Sequence, residues 1–135
     1  EQQQKVVSLT AYKVISIELA AGLGHTFYDN ETDYETVYFD QEIQHDFASW
    51  VSGDSMEPLY PNGSVALMKQ TGFDYDGAVY ALIWNGKTYI KKVYREAEGL
   101  RLESINPDYD DLFAPYEDEP KIVGIVVGHF LPLEV

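Results

Sequence analysis

The segment Ala78-Val79-Tyr80-Ala81-Leu82-Ile83-Trp84-Asn85-Gly86-Lys87-Thr88-Tyr89-Ile90 decides the fold class of this chain. Asn85-Gly86 favours a two-residue turn with positive φ, and apolar, aromatic and β-branched residues stand on both sides of it. The segment therefore predicts an antiparallel β-hairpin whose second strand continues through Val93.

Further short strands are predicted on both sides of this hairpin, because β-branched and aromatic residues recur between turn-forming residues. Tyr60-Pro61-Asn62-Gly63 is one such turn, and Asn106-Pro107 stops another strand. The predicted strands cover residues 36–39, 47–51, 64–68, 99–105 and 122–127. Helix signals are sparse, and residues 56–60 are expected to form one short turn. The prediction is a mostly β domain built from short, coiled antiparallel strands.

Composition limits the class of protein. The 135 residues suffice for one domain with a single core, and 11 tyrosines within a 45% hydrophobic content favour a folded β protein. The absence of cysteine excludes disulfides and thiolate metal sites and fits a reducing cytoplasm. A formal charge of −14 opposes the gripping of nucleic-acid phosphates, so this piece is not expected to bind DNA directly.

Neither a membrane span nor a signal peptide is expected. No apolar run approaches the ~20 residues that a spanning helix needs; the longest, Ile122 to Leu131, includes two glycines and His129. The chain begins at Glu1 without an initiator methionine, which predicts a fragment or processed product with a segment missing upstream. A cytoplasmic protein is the expectation.

Charged residues are unevenly placed. Six of the nine basic residues fall between positions 69 and 101. The acidic residues cluster at Asp108, Asp110, Asp111, Glu117, Asp118 and Glu119. Such a run predicts a solvated loop, and it lacks the twelve-residue pattern of a calcium loop. His25, His45 and His129 are scattered, so no metal and no cofactor are expected.

The stretch Ser52-Gly53-Asp54-Ser55-Met56-Glu57-Pro58 is a candidate catalytic turn. Gly53 lets the backbone bend sharply after the predicted strand 47–51, so Ser55 can project its hydroxyl. Nearby backbone amides can then face an incoming carbonyl oxygen. A Gly-Asp-Ser turn alone is more often structural.

A lysine 36 residues after Ser55 is the second candidate. A desolvated lysine is neutral near neutral pH and can take a serine proton without any histidine. On a strand, Lys91 and Lys92 face opposite sides, and both sides are half apolar. The alternation therefore leaves open which lysine is buried. The hypothesis of a Ser-Lys hydrolase stands against that of two exposed strand lysines.

Taken together, Gly53-Asp54-Ser55-Met56-Glu57-Pro58 and Tyr89-Ile90-Lys91-Lys92-Val93 resemble the catalytic segments of the LexA-like autoproteolytic repressors. That family includes phage repressors and UmuD-type polymerase accessory proteins. The segment Ser104-Ile105-Asn106-Pro107-Asp108-Tyr109 is similar to a Ser-x-Asn-Pro-x-Tyr stretch often found there, and the resemblance covers roughly residues 15 to 130. It implies the LexA C-terminal-domain or signal-peptidase-like fold. Asn62-Gly63-Ser64 departs from the Asp-Gly-Asp that members often have.

The resemblance also implies the roles of individual residues. Family members cut their own chain at an Ala-Gly or Cys-Gly bond upstream of the serine, and Ala21-Gly22 offers such a bond with Gly22 33 residues before Ser55. Small residues let that segment fold sharply into a narrow site. By resemblance, Lys91 is the general base, Ser55 the nucleophile, and the N–H groups of Asp54 and Ser55 the oxyanion hole.

The expected function is that of the self-cleaving C-terminal and dimerisation domain of a transcriptional repressor, of phage origin or from an SOS-type stress response. Residues 1–30 would be an N-terminal arm with the cleavage segment, and residues 31–135 the peptidase-like core. The partners would be a second copy of the chain, DNA through an upstream helix-turn-helix domain, and a RecA-like or antirepressor protein. Ile122 to Leu131 is a candidate dimer surface, with interior core an equal alternative.

Three other functions remain open. The first is a UmuD-like translesion polymerase accessory protein, with only a short arm before the cleavage site. An upstream helix-turn-helix of about 60 or more residues would favour the repressor instead. The second is a signal-peptidase-like enzyme acting in trans, which needs a membrane anchor and an apolar substrate-facing surface. The third is a catalytically silent dimerisation module.

Overall fold

The computed structural model describes residues 8–23 and 34–134, which form nine strands, one α-helix and one 3₁₀ helix. The elements are β1 Thr10–Val14, α1 Ile17–Leu23, β2 Glu35–Phe39, β3 Phe47–Trp50, β4 Val65–Gln70, β5 Val79–Trp84, β6 Lys87–Arg95, β7 Gly99–Glu103, β8 Leu112–Pro115, the 3₁₀ helix Tyr116–Asp118 and β9 Lys121–Phe130. The prediction of a mostly β domain is confirmed, and each of the predicted strands is present.

All nine strands belong to one sheet, in the order β2-β1-β3-β4-β9-β5-β6-β7-β8. Neighbouring strands in the described residues are antiparallel, except that β1 pairs with β3 in parallel at Val14 and Ala48. This pairing makes the sheet mixed. It is possible because α1 and β2 lie between β1 and β3 in the chain and provide the long connection that parallel strands require.

The hairpin predicted from Asn85-Gly86 is confirmed. Both residues have positive φ, 51° and 75°, and Trp84 pairs with Lys87 across the turn. The ten-residue strand β9 joins this hairpin to the rest of the sheet, because β9 pairs with β4 on one side and with β5 on the other. A register shift interrupts each of these pairings, which increases the local twist and coils the sheet.

The helix α1 was not predicted. The side-chain oxygen of Ser16 accepts a hydrogen bond of 3.0 Å from the N–H of Leu19, as an N-cap residue does. Ile17 and Ala20, three positions apart, are buried against the sheet. Seven residues that include Gly22 give too short a pattern for a helical period to be recognised.

The described part of the predicted N-terminal arm packs on the sheet, because β1 is a sheet strand and α1 contacts β5 and β9. The proposed boundary at residue 30, and His25, lie outside the described residues, so the division at 30 stays a prediction. The acidic run lies at the surface as expected, although β8 and the 3₁₀ helix form within it.

The candidate dimer surface coincides with β9, which has neighbouring strands on both sides. The pairing with β5 ends at Ile125, however, so residues 126–130 pair with β4 alone and their other backbone edge is not paired within the described sheet. Val123 and Phe130 are buried, whereas Val127 and Leu131 are exposed. The segment is thus partly interior and partly accessible, and its role as a dimer surface stays a prediction.

Candidate functional site

The serine predicted as a nucleophile lies on a tight turn after β3. Gly53 has a φ of 82°, which favours glycine, and its N–H donates to the side-chain oxygen of Asn62 at 2.7 Å. Met56, only 2% exposed, anchors the turn in the core, and the N–H of Tyr60 donates to its carbonyl at 2.9 Å. Ser55 stands half-buried between these fixed points.

The two lysines of β6 differ in burial, which the sequence left open. Lys91 is 7% exposed and faces the interior together with Val93. Lys92 lies on the opposite face, with its Nζ 3.5 Å from a carboxylate oxygen of Glu103. A hydrogen bond with Tyr94 and the nearby charge of Glu103 raise the pKa of Lys92. Burial lowers the pKa of Lys91, as a general base requires.

Lys91 reaches two hydroxyl groups. Its Nζ lies 2.8 Å from Ser55 Oγ and 2.8 Å from Ser104 Oγ. Ser104 directly follows β7 and is 8% exposed. The structure therefore brings together Ser55 and Lys91, as the sequence predicted. Ser104 was quoted as part of a motif, but no pattern in the sequence indicated a contact with the lysine.

The segment after β7 also holds the serine turn in place. The N–H of Asn106 donates to the carbonyl of Ser55 at 2.9 Å, and its side-chain amide donates to the carbonyl of Asp54 at 3.1 Å. The hydroxyl of Tyr109 donates to a carboxylate oxygen of Asp54. This hydrogen bond and the carboxylate charge raise the pKa of Tyr109. Backbone and side-chain bonds together fix the orientation of the Asp54–Ser55 peptide.

That orientation bears on the predicted oxyanion hole. The Asp54 carbonyl accepts from Asn106 and from the N–H of Glu57 at 3.2 Å. In a planar trans peptide the C=O and N–H point in opposite directions, so the N–H of Ser55 points away from these donors. Within the described residues, the N–H groups of Asp54 and Ser55 have no acceptor. They can donate hydrogen bonds to a bound oxygen that carries negative charge.

A groove begins at the Ser55–Lys91 pair. A cavity of about 270 Å³ lies beside the two side chains. Its apolar and aromatic lining consists of Ile17, Trp50, Val51, Met56, Tyr89 and Ile90. A second cavity of about 400 Å³ shares Ile17, Trp50, Ser52 and Thr88 with the first. The two cavities together extend from the dyad to the start of α1.

The predicted cleavage bond is not in this groove. Ala21 and Gly22 lie in the last turn of α1, and neither lines the cavity beside Ser55. The carbonyl oxygen of Ala21 accepts a hydrogen bond of 3.4 Å from Lys121 Nζ. Since the last carbonyls of a helix have no intrahelical partner, Lys121 satisfies one of them. The structure holds Ala21–Gly22 in a helical form away from Ser55.

The described residues contain neither a metal-binding cluster nor a membrane-spanning helix. Among residues 8–23 and 34–134, no three His, Asp or Glu side chains come together where a metal ion could bind. No α-helix in those ranges has both the length and the apolar character needed to cross a membrane.

The chain is similar to one peptidase family and to several repressor proteins. The family model described as Peptidase S24-like matches residues 13–127. The CI repressor protein of Enterobacteria phage phi80 is 42% identical over 77 residues, which cover 56% of this chain and 32% of the relative. A LexA repressor of Citrifermentans bemidjiense is 33% identical over 86 residues, 62% of this chain and 43% of the relative.

A LexA repressor of Lacticaseibacillus casei is 30% identical over 118 residues, 84% of this chain and 55% of the relative. The chain thus spans between a third and about half of the length of these relatives. The family match extends from β1 almost to the end of β9 and includes the serine turn, β6 and the segment after β7. The chain therefore belongs to the Peptidase S24-like family.

Proposed function

We propose that this chain is the self-cleaving domain of a transcriptional repressor, and that it hydrolyses its own Ala21–Gly22 bond. Ser55 is the nucleophile and Lys91 the general base. The observation that carries the proposal is the 2.8 Å approach of Lys91 Nζ to Ser55 Oγ at a site where the lysine is 7% exposed. The repressor relatives and the peptidase family support the class of function.

The mechanism follows from the protonation state of Lys91. The neutral amine takes the proton of Ser55 as Oγ bonds to the carbonyl carbon of Ala21. The N–H groups of Asp54 and Ser55 stabilise the oxyanion. The Lys91 ammonium then gives its proton to the nitrogen of Gly22, which leaves as a free amine. Lys91 next deprotonates a water molecule, which attacks the ester carbonyl of Ala21. The bond to Ser55 Oγ breaks, Oγ regains its proton from the Lys91 ammonium, and the Ala21 carboxyl group is released.

The helical form of the cleavage segment adds a conformational step. Ala21 must leave α1 and adopt an extended form in the groove before Ser55 can reach its carbonyl. Nucleophile and scissile bond belong to one chain, so the rate depends on the fraction of molecules in the docked form. A protein that binds the docked form accelerates cleavage by shifting this population. A RecA-like or antirepressor protein would act in this way.

The repressor role explains why self-cleavage would matter. With a net charge of −14, this chain is a poor candidate for contact with DNA, which falls to a helix-turn-helix domain outside this sequence. Two copies associated through this domain would engage two half-sites together in the cytoplasm. The exposed Val127 and Leu131 are candidates for part of that dimer contact. Cleavage at Ala21–Gly22 would separate the two functions and release the operator.

The test is the intact mass of the purified chain over time, at neutral pH and at about pH 10. We expect two fragments, residues 1–21 and 22–135, which appear faster at the higher pH. The same protein with Ser55→Ala should stay intact under both conditions. If the wild-type chain is cut at another bond, or if the variant is cut at the same rate, the proposal is wrong.

A further inference from the structure

The two-residue mechanism makes no use of the buried hydroxyl of Ser104. This side chain is contributed by the residue after β7, whereas Lys91 lies on β6, and Ser55 is far away in sequence. It is 8% exposed, and its Oγ lies as close to Lys91 Nζ as Ser55 Oγ does, at 2.8 Å. A buried hydroxyl this close to the general base is expected to have a function.

The chemistry of a neutral amine supplies one. Such an amine has two N–H donors and one lone pair, and only the lone pair can take a proton. Rotation about the Cε–Nζ bond would direct an N–H, rather than the lone pair, at Ser55 in two of three staggered positions. A second hydroxyl that accepts one N–H selects among these positions. Ser104 Oγ lies where it can accept that hydrogen bond.

We propose that Ser104 is a positioning residue for self-cleavage, whose hydroxyl oxygen accepts an N–H from Lys91 and directs the lone pair of the amine at Ser55. The inference rests on the proposed function. When Lys91 becomes an ammonium, its bond to Ser104 becomes charge-assisted and therefore stronger. Ser104 thus also stabilises the form of Lys91 that must later protonate the leaving amine.

Hydroxyl groups, rather than carboxylates, are the groups placed to stabilise the ammonium form of Lys91. In the part of the chain that the structure describes, Lys91 forms no ion pair. The titratable group that faces its Nζ is Tyr109, with the ring centroid 5.8 Å away, and the hydroxyl of Tyr109 is bonded to Asp54. Because an acceptor favours the charged amine, loss of the Ser104 hydroxyl should lower the pKa of Lys91 further.

The first experiment measures self-cleavage of the full chain as a function of pH in wild type, Ser104→Ala and Ser104→Thr. We expect the plateau rate of Ser104→Ala to fall about tenfold, which is the cost of one hydrogen bond of about 1.4 kcal/mol. The midpoint of its pH profile should move to lower pH. Ser104→Thr keeps a hydroxyl and should restore both. Tyr94→Phe is the matched control, since it removes a hydroxyl that joins β6 to β7 without contacting Lys91.

The second experiment does not depend on cleavage. The side-chain carbon next to Nζ of Lys91 is followed by NMR through a pH titration in Ser55→Ala, with its signal assigned by comparison with Lys91→Met. Addition of Ser104→Ala should lower the midpoint by roughly 0.7 pH unit, if the acceptor is worth about 1 kcal/mol more to the ammonium than to the amine.

The outcomes separate the two claims. A midpoint that is unchanged or rises in the titration overturns the role of Ser104, whether or not the chain cleaves itself. So does a Ser104→Ala chain that cleaves with the wild-type rate and pH profile. A chain in which Ser104→Ala lowers the midpoint as expected but which never cleaves would support the hydrogen bond and contradict only the proposed function.

Discussion

The backbone N–H of Asn106 donates to the carbonyl oxygen of Ser55 at 2.9 Å, and this bond ties the serine turn to the segment that follows β7. The same segment carries Ser104, whose hydroxyl contacts Lys91. A few residues therefore fix both members of the dyad from one side. We infer that the geometry of the site depends on this segment as much as on the turn and on β6.

Asn106→Ala tests this dependence. The substitution keeps the backbone bond to Ser55 but removes the side-chain bonds to the carbonyl of Asp54 and from the N–H of Asp108. We expect a loss of about 1 kcal/mol in the free energy of unfolding, measured by urea denaturation. Self-cleavage should slow about tenfold, because the peptide plane that carries the Ser55 N–H is released.

The matched control for Asn106→Ala is a variant with a similar loss of stability elsewhere. Tyr12→Phe removes a hydroxyl that donates to the carbonyl of Gln41 at 2.6 Å and accepts from the N–H of Ile43 at 2.9 Å, and none of these groups belongs to the serine turn. It should lower stability and leave the cleavage rate within about twofold of wild type. Equal slowing in Asn106→Ala and Tyr12→Phe would mean that cleavage responds to stability alone.

The adjacent lysines of β6 provide an internal comparison. Lys91→Met removes the general base and should slow cleavage by about 10²- to 10⁴-fold. Lys92→Met removes an exposed contact with Glu103, so the rate should stay within about twofold of wild type. Both rates are read from the intact mass over time. If Lys92→Met lost activity and Lys91→Met did not, the general base would be Lys92 rather than Lys91.

Burial of Lys91 also predicts how stability depends on pH. Burial lowers its pKa in the folded protein below the ordinary value of 10.5, whereas the unfolded chain keeps that value. Between the two values the unfolded state binds more protons, so this lysine makes the free energy of unfolding rise with pH. Below the folded pKa, the cost of burying the charge is present in full.

The measurement compares Lys91→Met with its parent, both carrying Ser55→Ala, by urea denaturation at about pH 7 and about pH 10. The variant should be more stable relative to its parent at the lower pH, and the difference should shrink as the pH rises towards 10.5. Tyr109, whose pKa is raised by Asp54, titrates in both proteins and largely cancels in the difference. A difference that is independent of pH would show that Lys91 titrates alike in both states.

The helical form of the cleavage segment predicts that a weaker α1 gives faster cleavage. Ser16→Ala removes the N-cap bond to Leu19 and should destabilise the helix by about 1 kcal/mol. If the docked form is a minor population, the rate should rise by up to about fivefold. The measurement is the rate of fragment formation. The control is Ser8→Ala, which changes an exposed serine before β1. An unchanged rate would show that leaving α1 does not limit cleavage.

The sequence was sufficient for the strands whose turns have clear chemistry. Asn85-Gly86 favours a turn by its backbone preference, and the β-branched run of β9 favours a buried strand. The parallel pairing at Val14 and Ala48 depends on a tertiary connection that no local pattern specifies. The helix α1 contains good helix formers, but seven residues are too few to be stable without the burial of Ile17 and Ala20, so it too became visible only in the structure.

The candidate site divides in the same way. The identity of Ser55 and the proximity of a lysine were predictable from two short motifs, but the alternation of β6 could not choose between Lys91 and Lys92. That choice depends on which face of the strand the rest of the fold covers. The contacts of Ser104 and Asn106 join segments that are far apart in sequence, and hydroxyl and amide groups carry no pattern that predicts such a partner.

The measurement that tests the central claim most directly is the rate of self-cleavage as a function of pH, from about pH 6 to about pH 10, in wild type and in Lys91→Met. If a buried, neutral Lys91 activates Ser55, the wild-type rate should rise with pH around a midpoint below 10.5 and level off above that midpoint. The residual rate of Lys91→Met should lack that midpoint. A wild-type rate without such a midpoint, or the same midpoint in Lys91→Met, would contradict the account.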